Sequence, residues 1–317
     1  MAVYTHLAAE DLAALIAEYD VGELISAKGI AEGISNSNWL VETTSGRFIL
    51  TLYERRIDLA DLPFFLALLD HLSARGCPVP RTIHDRSGAL SRQVAGKAAA
   101  LIEFLPGVSV DRPTPAQAHA VGVALAGMHL ASANFAGSRA NTLGIADSLQ
   151  TLETCGDALA GIDPALPQAV EIGRKLAADW PEDLPRAICH TDLFPDNVLM
   201  RGQAVTGIID FYFACDEAVA YDLAVAHAAW SFDRSGERHD TAVGRALLEG
   251  YESVRPLEPR ERASLPVLAQ GACLRFVASR AEDWLDTPPD ALVTRKDPMA
   301  FMRRLQFYAK AGDSAFQ

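Results

Sequence analysis

The amino-acid sequence predicts an α+β protein of two lobes: a small antiparallel sheet with one helix over residues 1–104, then a helix-rich lobe over 105–317. Two observations separate the lobes. β-type runs crowd the first third of the chain, and from Thr114 onward the pattern is mostly helical, with Pro106-Gly107 breaking one from the other. A third observation marks a site: three short β signals return inside the helical half and bracket ICHTDLFPDNVLM, residues 188–200, which packs a histidine, two aspartates and an asparagine between apolar neighbours.

Element by element, MAVYTHLAAEDLAALIAEY at the N-terminus reads as an amphipathic helix. ELISAKGI at 23–30, SNWLVETT at 37–44 and RFILTLYE at 47–54 follow as strands, the last two joined through Ser45-Gly46, a hairpin turn signal. LADLPFFLALLDHLSARG, from 59 to 76, places Leu62, Phe65, Leu66, Leu69 and Leu72 on one helical face, with Gly76 as its stop. A further strand pair ends in KAAALIEFLPG at 97–107. Thr114 then caps, and Pro115 opens, a helix through TPAQAHAVGVALAGMHLAS. AICH at 187–190, NVLM at 197–200 and AVTGIIDF at 204–211 are the β signals of the second half.

Composition narrows the partners. With 28 basic against 41 acidic residues the formal charge is −13, and no basic run is longer than the Arg55-Arg56 pair beside Glu54, so a phosphate backbone finds no cationic stripe and nucleic acid is excluded as a partner. Five cysteines at 77, 155, 189, 215 and 273 form no CxxC pair, which suits a reduced, cytoplasmic protein. The acidic N-terminal helix is no signal peptide, and the most apolar later stretch, AVAYDLAVAHAAW at 218–230, contains Asp222 and falls short of the about 20 residues that span a bilayer. No membrane association is expected.

The chemistry sits in His190-Thr191-Asp192-Leu193-Phe194-Pro195-Asp196-Asn197, of the form H-x-D-x-x-x-x-N, followed after a hairpin's length by Ile208-Ile209-Asp210-Phe211. H-x-D alone is an ordinary turn as readily as a site. With Asn197 five residues after Asp192 and the Ile-Ile-Asp-Phe run behind an aliphatic stretch, phosphoryl transfer becomes the better reading. A hydroxyl nucleophile must be oriented and its proton accepted, which one loop carboxylate, Asp192, can do. The phosphoryl group keeps its negative charge throughout, so Mg²⁺ has to bridge its oxygens, and hard oxygen ligands such as Asn197 and Asp210 suit that ion. Asp196 reads as structural, and Asp222 as a helix carboxylate that braces the loop.

Taken together, HTDLFPDN and IIDF resemble the catalytic and metal loops of the protein-kinase-like small-molecule phosphotransferases, the aminoglycoside and choline kinase group. GISNSNWLVETTSGRFILTLYE, LIEFLPG, IIDFYFACDEAVAYDLA and CLRFVASRAEDW narrow the resemblance to the homoserine kinases of that fold, over nearly the whole chain. The resemblance implies a bilobal protein-kinase-like fold with ATP in the cleft, adenine held near Ile102-Glu103-Phe104-Leu105 with Glu103 and Leu105 as contacts, and phosphates under the turn from Gly29 to Asn38, where Ser35, Asn36 and Ser37 stand. It further implies a cytoplasmic enzyme of threonine biosynthesis, monomer or homodimer, acting on a small molecule. Where such kinases usually carry a phosphate-binding lysine this chain has Thr51, and the following helix has no glutamate to pair with one.

Homoserine offers a hydroxyl, an ammonium and a carboxylate. Arg275, Ser279 and Asp283 recur every four residues and share a helical face, with Arg280 adjacent, so Arg275 or Arg280 is expected to take the carboxylate and Asp283 or Glu217 the ammonium, with Tyr212 lining the pocket. A kinase for choline, an aminosugar or an aminoglycoside, and a catalytically silent nucleotide-binding protein, are the alternatives.

Overall fold

The computed structural model describes residues 5, 7–30, 36–54, 58–288 and 295–317. Helix α1 (Ala9–Ala17) buries Leu12, Leu15 and Ile16, a stripe that has to be covered. Its cover is one face of an antiparallel six-stranded sheet of β1 (Leu24–Gly29), β2 (Asn36–Thr43), β3 (Gly46–Tyr53), β4 (Thr82–Ile83), β5 (Arg92–Val94) and β6 (Lys97–Glu103), ordered β1-β2-β3-β6-β4 with β5 on β6. Trp39, Val41, Leu50, Leu52, Ala99 and Leu101 pack under α1. Alternation then turns Asn38, Thr51, Tyr53, Ala98 and Ala100 to the opposite face, where Tyr53, Ala98 and Ala100 meet Leu62 and Leu66 of α2 (Leu62–Ser73).

Helix α2 is apolar on two sides, and that decides how the lobes meet. Leu62 and Leu66 reach the sheet, whereas Phe65, Leu68, Leu69 and Leu72 enter the large hydrophobic cluster of the second half of the chain. Arg139 reinforces this seam: its Nε donates to Asp61 at 2.5 Å, just before α2, while its Nη1 donates to the Ala214 carbonyl at 3.3 Å.

The helix-rich part contains α3 (Pro115–Ser132), α4 (Ile145–Cys155), α5 (Ala158–Ile162), α6 (Gln168–Ala178), α7 (Val219–Trp230), α8 (Thr241–Glu252), α9 (Pro259–Asp286) and α10 (Met299–Ala311). Thr114 and Gln117 form the expected cap of α3, each side chain bonding the other's backbone amide. Two small sheets interrupt the helices: β7 (Arg186–Cys189) pairs with β10 (Cys215–Ala218), and β8 (Val198–Arg201) pairs with β9 (Ala204–Ile208). The sequence pattern does not announce β10, whose residues CDEA owe their strand to pairing with β7. All twelve residues of α7 are buried, so it is the central pillar. No helix among the described residues is long and apolar enough to cross a membrane.

Helices α3 and α8 approach until backbones touch. A Cβ on Gly122 would lie 2.1 Å from the Leu247 carbonyl oxygen, and one on Gly250 would lie 2.1 Å from that of His119. No side-chain rotation relieves a backbone clash, so Gly122→Ala is expected to destabilise the protein by about 1–3 kcal/mol or more, read from urea unfolding. Burial, with His239 beside it, holds the His227 pKa down at about 3. Its folded pKa lies below its unfolded one, so unfolding takes up a proton: stability is whole above about pH 6.5 and falls as pH drops toward 3, by up to about 1.4 kcal/mol per pH unit. His227→Gln should flatten that acid limb of urea midpoint against pH.

Candidate active site

Strand β7 ends at Cys189 and delivers the loop 190–197. Thr191 takes φ +60, a left-handed conformation that a β-branched residue adopts only under constraint. Asp222, fully buried in α7, supplies it: Oδ1 accepts the Thr191 amide at 2.7 Å, and Oδ2 accepts the His190 amide at 2.7 Å and His129 Nε2 at 3.0 Å. Burial pushes the Asp222 carboxyl up, but hydrogen bonds from His129 and the His190 amide carry it below the ordinary range. The Thr191 hydroxyl donates to the Phe213 carbonyl at 3.0 Å, and Arg275 donates to the Thr191 carbonyl. Trp230 Nε1 holds the Leu193 carbonyl at 2.9 Å. Cys189 lies close enough to His129 and Asp222 to suggest metal ligation, but three N–H donors already occupy the Asp222 oxygens, so the cluster is a brace.

His190 ties this loop to the next one. Its Nδ1 accepts the Asp192 amide at 3.2 Å, its Nε2 donates to the Ile209 carbonyl at 2.9 Å, and its ring rests on Phe211 at 4.6 Å. The β8–β9 hairpin pairs Val198 with Ile208, and the Ile209 amide donates to the Asn197 carbonyl at 3.0 Å, so Asn197 and Asp210 emerge side by side. Asn197 Nδ2 donates to the Asp192 carbonyl at 2.8 Å and to its carboxylate at 3.3 Å, leaving Oδ1 as the atom Asn197 can offer a ligand. Burial raises the half-buried Asp192 carboxyl against the pull of Arg275. Asp210, at φ +67, is exposed to solvent; crowding by protein and the charge of Asp192 still push its carboxyl up to about 6. Two carboxyls pushed up, Asp192 by burial and Asp210 by burial and the Asp192 charge, with an amide oxygen alongside, make a donor set that fits a hard divalent cation.

The other expected residues divide. Ser35 lies outside the described residues. Asn36 and Ser37 are not turn residues: they open β2 opposite Tyr53 and Leu52, both buried, with Ser37 Oγ donating to Glu54 at 2.7 Å, because β2 must extend to pair all of β3. Glu103 closes β6 and its amide donates to the Arg81 carbonyl at 3.0 Å; Leu105 follows and rests on Gly207 of β9. Thr51 is buried, its hydroxyl 2.8 Å from Asn38 Oδ1, and α2 carries no glutamate, so both absences hold together. Tyr212 bonds the Tyr53 hydroxyl at 3.3 Å and packs between Tyr53 and Phe65, joining metal loop to sheet and helix rather than forming a free wall.

Arg275 is 4 % exposed, donates to the Thr191 carbonyl and stacks on Phe276 and Phe213, so it positions the loop from behind. The Glu217 carboxylate is held by Asn141 and Arg186 in a cavity of about 580 Å³ at the Arg186 end of β7. Asp283 is exposed on the last turn of α9, and half-buried Arg280 sits 4.5 Å from the Phe301 ring. Sequence reasoning missed His129 and Arg304. His129 looks like one more buried helix residue, and Arg304, three after Phe301 in α10, belongs to no motif.

Residues 26–257 match the model of the phosphotransferase enzyme family. A homoserine kinase from Xanthobacter autotrophicus is 48% identical over 316 residues, covering 99% of this chain and 98% of its own. One from Acidiphilium cryptum is 48% identical over 317 residues, covering 99% of each. Among solved structures, a spectinomycin phosphotransferase determined with ADP and spectinomycin superposes with TM-score 0.74 at 15% identity, over 98% of this chain and 100% of that one. A choline kinase from Cryptosporidium parvum does so with TM-score 0.66 at 13% identity, over 91% and 89%. These two establish the bilobal protein-kinase-like fold.

Removing the brace tests the site's architecture. Asp222→Ala strands three buried donors and is expected to cost about 3–5 kcal/mol in urea unfolding. Asp222→Asn, which keeps an oxygen for the Thr191 amide but turns an NH₂ toward the other donors, should lose less with the same sign.

Proposed function

The chain belongs to the phosphotransferase enzyme family, and from that premise we propose that it transfers the terminal phosphoryl group of ATP to the hydroxyl of homoserine, making O-phosphohomoserine for threonine synthesis in the cytoplasm. The observation that carries the chemistry is the proximity of three groups: Asn197 bonds the Asp192 carboxylate, and the Asp192 charge acts on the Asp210 carboxyl. The near full-length identity to homoserine kinases supports the acceptor.

In this reading Asp192 orients the acceptor hydroxyl and takes its proton. A carboxyl raised by burial is a better base than an ordinary aspartate. Asn197, through Oδ1, and Asp210 would hold Mg²⁺, which when bound would supply positive charge to the phosphate oxygens. The sheet of residues 1–104 covers the nucleotide, with adenine against the segment from Glu103 to Leu105, and residues 105–317 carry the loops and the acceptor. Thr51 and Asn38 present neutral polar groups on the sheet face that a lysine would otherwise charge. More of the compensation of phosphate charge then falls to the cation.

A coupled assay of ATP consumption with homoserine, serine, choline and an aminoglycoside tests the acceptor. Homoserine should give the highest kcat/KM, and preference for another acceptor would overturn it. Asp192→Ala should lower kcat by about 10²–10⁴ while leaving Mg·ATP binding intact, and Asp210→Ala should abolish metal-dependent turnover. Wild-type rates in either variant would remove that residue from the chemistry.

A further inference from the structure

We propose that Arg280 and Arg304 form an anion clamp that takes the carboxylate of the acceptor amino alcohol. The inference rests on the homoserine reading and extends it to a pair of donors, one of which no sequence pattern marks.

The two guanidinium groups come from different helices, α9 and α10, yet share one ring: their central carbons lie 4.5 and 4.2 Å from the Phe301 centroid. Phe301 in turn belongs to a ring cluster that holds the loop. Phe194, two residues after Asp192, meets Phe276 at 4.9 Å and Phe301 at 5.9 Å, and Phe276 meets Phe301 at 4.7 Å. The clamp is therefore fixed relative to Asp192 through direct ring contacts.

Neither cation has an ion-pair partner among the described residues. Arg280 donates to the Asp297 carbonyl at 3.0 Å and Arg304 to the Asp233 carbonyl at 2.8 Å; Arg304 is 4 % exposed and its Nε has no partner. By contrast, Arg255 lies 2.9 Å from the Glu261 carboxylate and Arg139 lies 2.5 Å from that of Asp61. Two crowded cations without an anion cost free energy. The cost is visible in Arg280, whose pKa burial and the neighbouring Arg304 lower to about 10. An anion seated on the half-buried Arg280 side would relieve the repulsion, and a carboxylate fits the planar guanidinium fork. A phosphate oxygen offers the same chemistry, so the test separates the two.

Steady-state kinetics with three acceptors reads the clamp: homoserine; aminopropanol, which keeps hydroxyl and ammonium but lacks the carboxylate; and the terminal-hydroxyl butyrate, which keeps the carboxylate but lacks the ammonium. Arg280→Gln should raise KM about tenfold or more for the two carboxylate-bearing acceptors, with aminopropanol turnover and KM for ATP unchanged. Arg304→Lys, which keeps the charge but loses the fork, should shift the same selectivity by a smaller factor; its melting curve reports whether it folds. Equal losses on all three acceptors, or a rise confined to KM for ATP, would overturn the clamp. Should the wild-type protein leave homoserine unphosphorylated, the acceptor reading fails first, and calorimetric binding of the butyrate then decides the clamp: loss in Arg280→Gln supports it, equal binding refutes it.

Discussion

A single buried carboxylate, Asp222, fixes the geometry on which the site depends. An unpaired carboxylate at the centre of a buried helix would be intolerable, so it demands donors, and three N–H groups from two elements supply them. Two of those donors are consecutive loop amides. Satisfying both with the two oxygens of one carboxylate goes with the left-handed conformation of Thr191, the residue before Asp192. Arg275 and Trp230 hold the carbonyls at 191 and 193, so the loop has little freedom left. The rigidity of the α7 pillar thus becomes precision at residue 192.

The second organising feature is the seam. Because α2 buries one side in the sheet and the other in the large cluster, it belongs mechanically to both lobes. In a fold where a lysine and glutamate would link sheet to helix, this chain has Thr51 and no acidic partner, and its links are instead Tyr53 with Tyr212 and Asp61 with Arg139. Both run to the segment 210–214, so the position of the helix and that of Asp210 are coupled without a charged pair in the cleft.

Much of this was legible from the sequence because local chemistry dictated it. The hairpins, the α3 cap, the amphipathic α2, the loop carrying Asp192 and Asn197, and Asp210 after the next hairpin follow from period, turn residues and spacing, which are short-range properties. The losses occur where tertiary contact overrides them. Strand β10 exists because β7 needs a partner, and Asn36 and Ser37 lie in a strand because β3 runs on to Tyr53. Arg275 shares a helical face with Asp283, but facing is not access: Thr191 had already claimed its guanidinium. His129 and Arg304 carry no local signature, since their roles depend on elements far away in the chain.

Where a structure leaves electrostatic rules unmet, function is the economical explanation. Most charges here are matched, including buried Glu261 by Arg255 and Asp85 by Arg92. Asp192 with Asp210, two neighbouring carboxylates, and Arg280 with Arg304, two cations on one ring, have no ion-pair partner among the described residues. The imbalances have opposite sign, and Phe194 links them: it follows Asp192 by two residues and its ring lies 5.9 Å from that of Phe301. A cation at the first and a carboxylate at the second would neutralise both, leaving an acceptor's hydroxyl to bridge the distance between them. The placement of these charges thus matches, in sign, the two groups proposed to meet there.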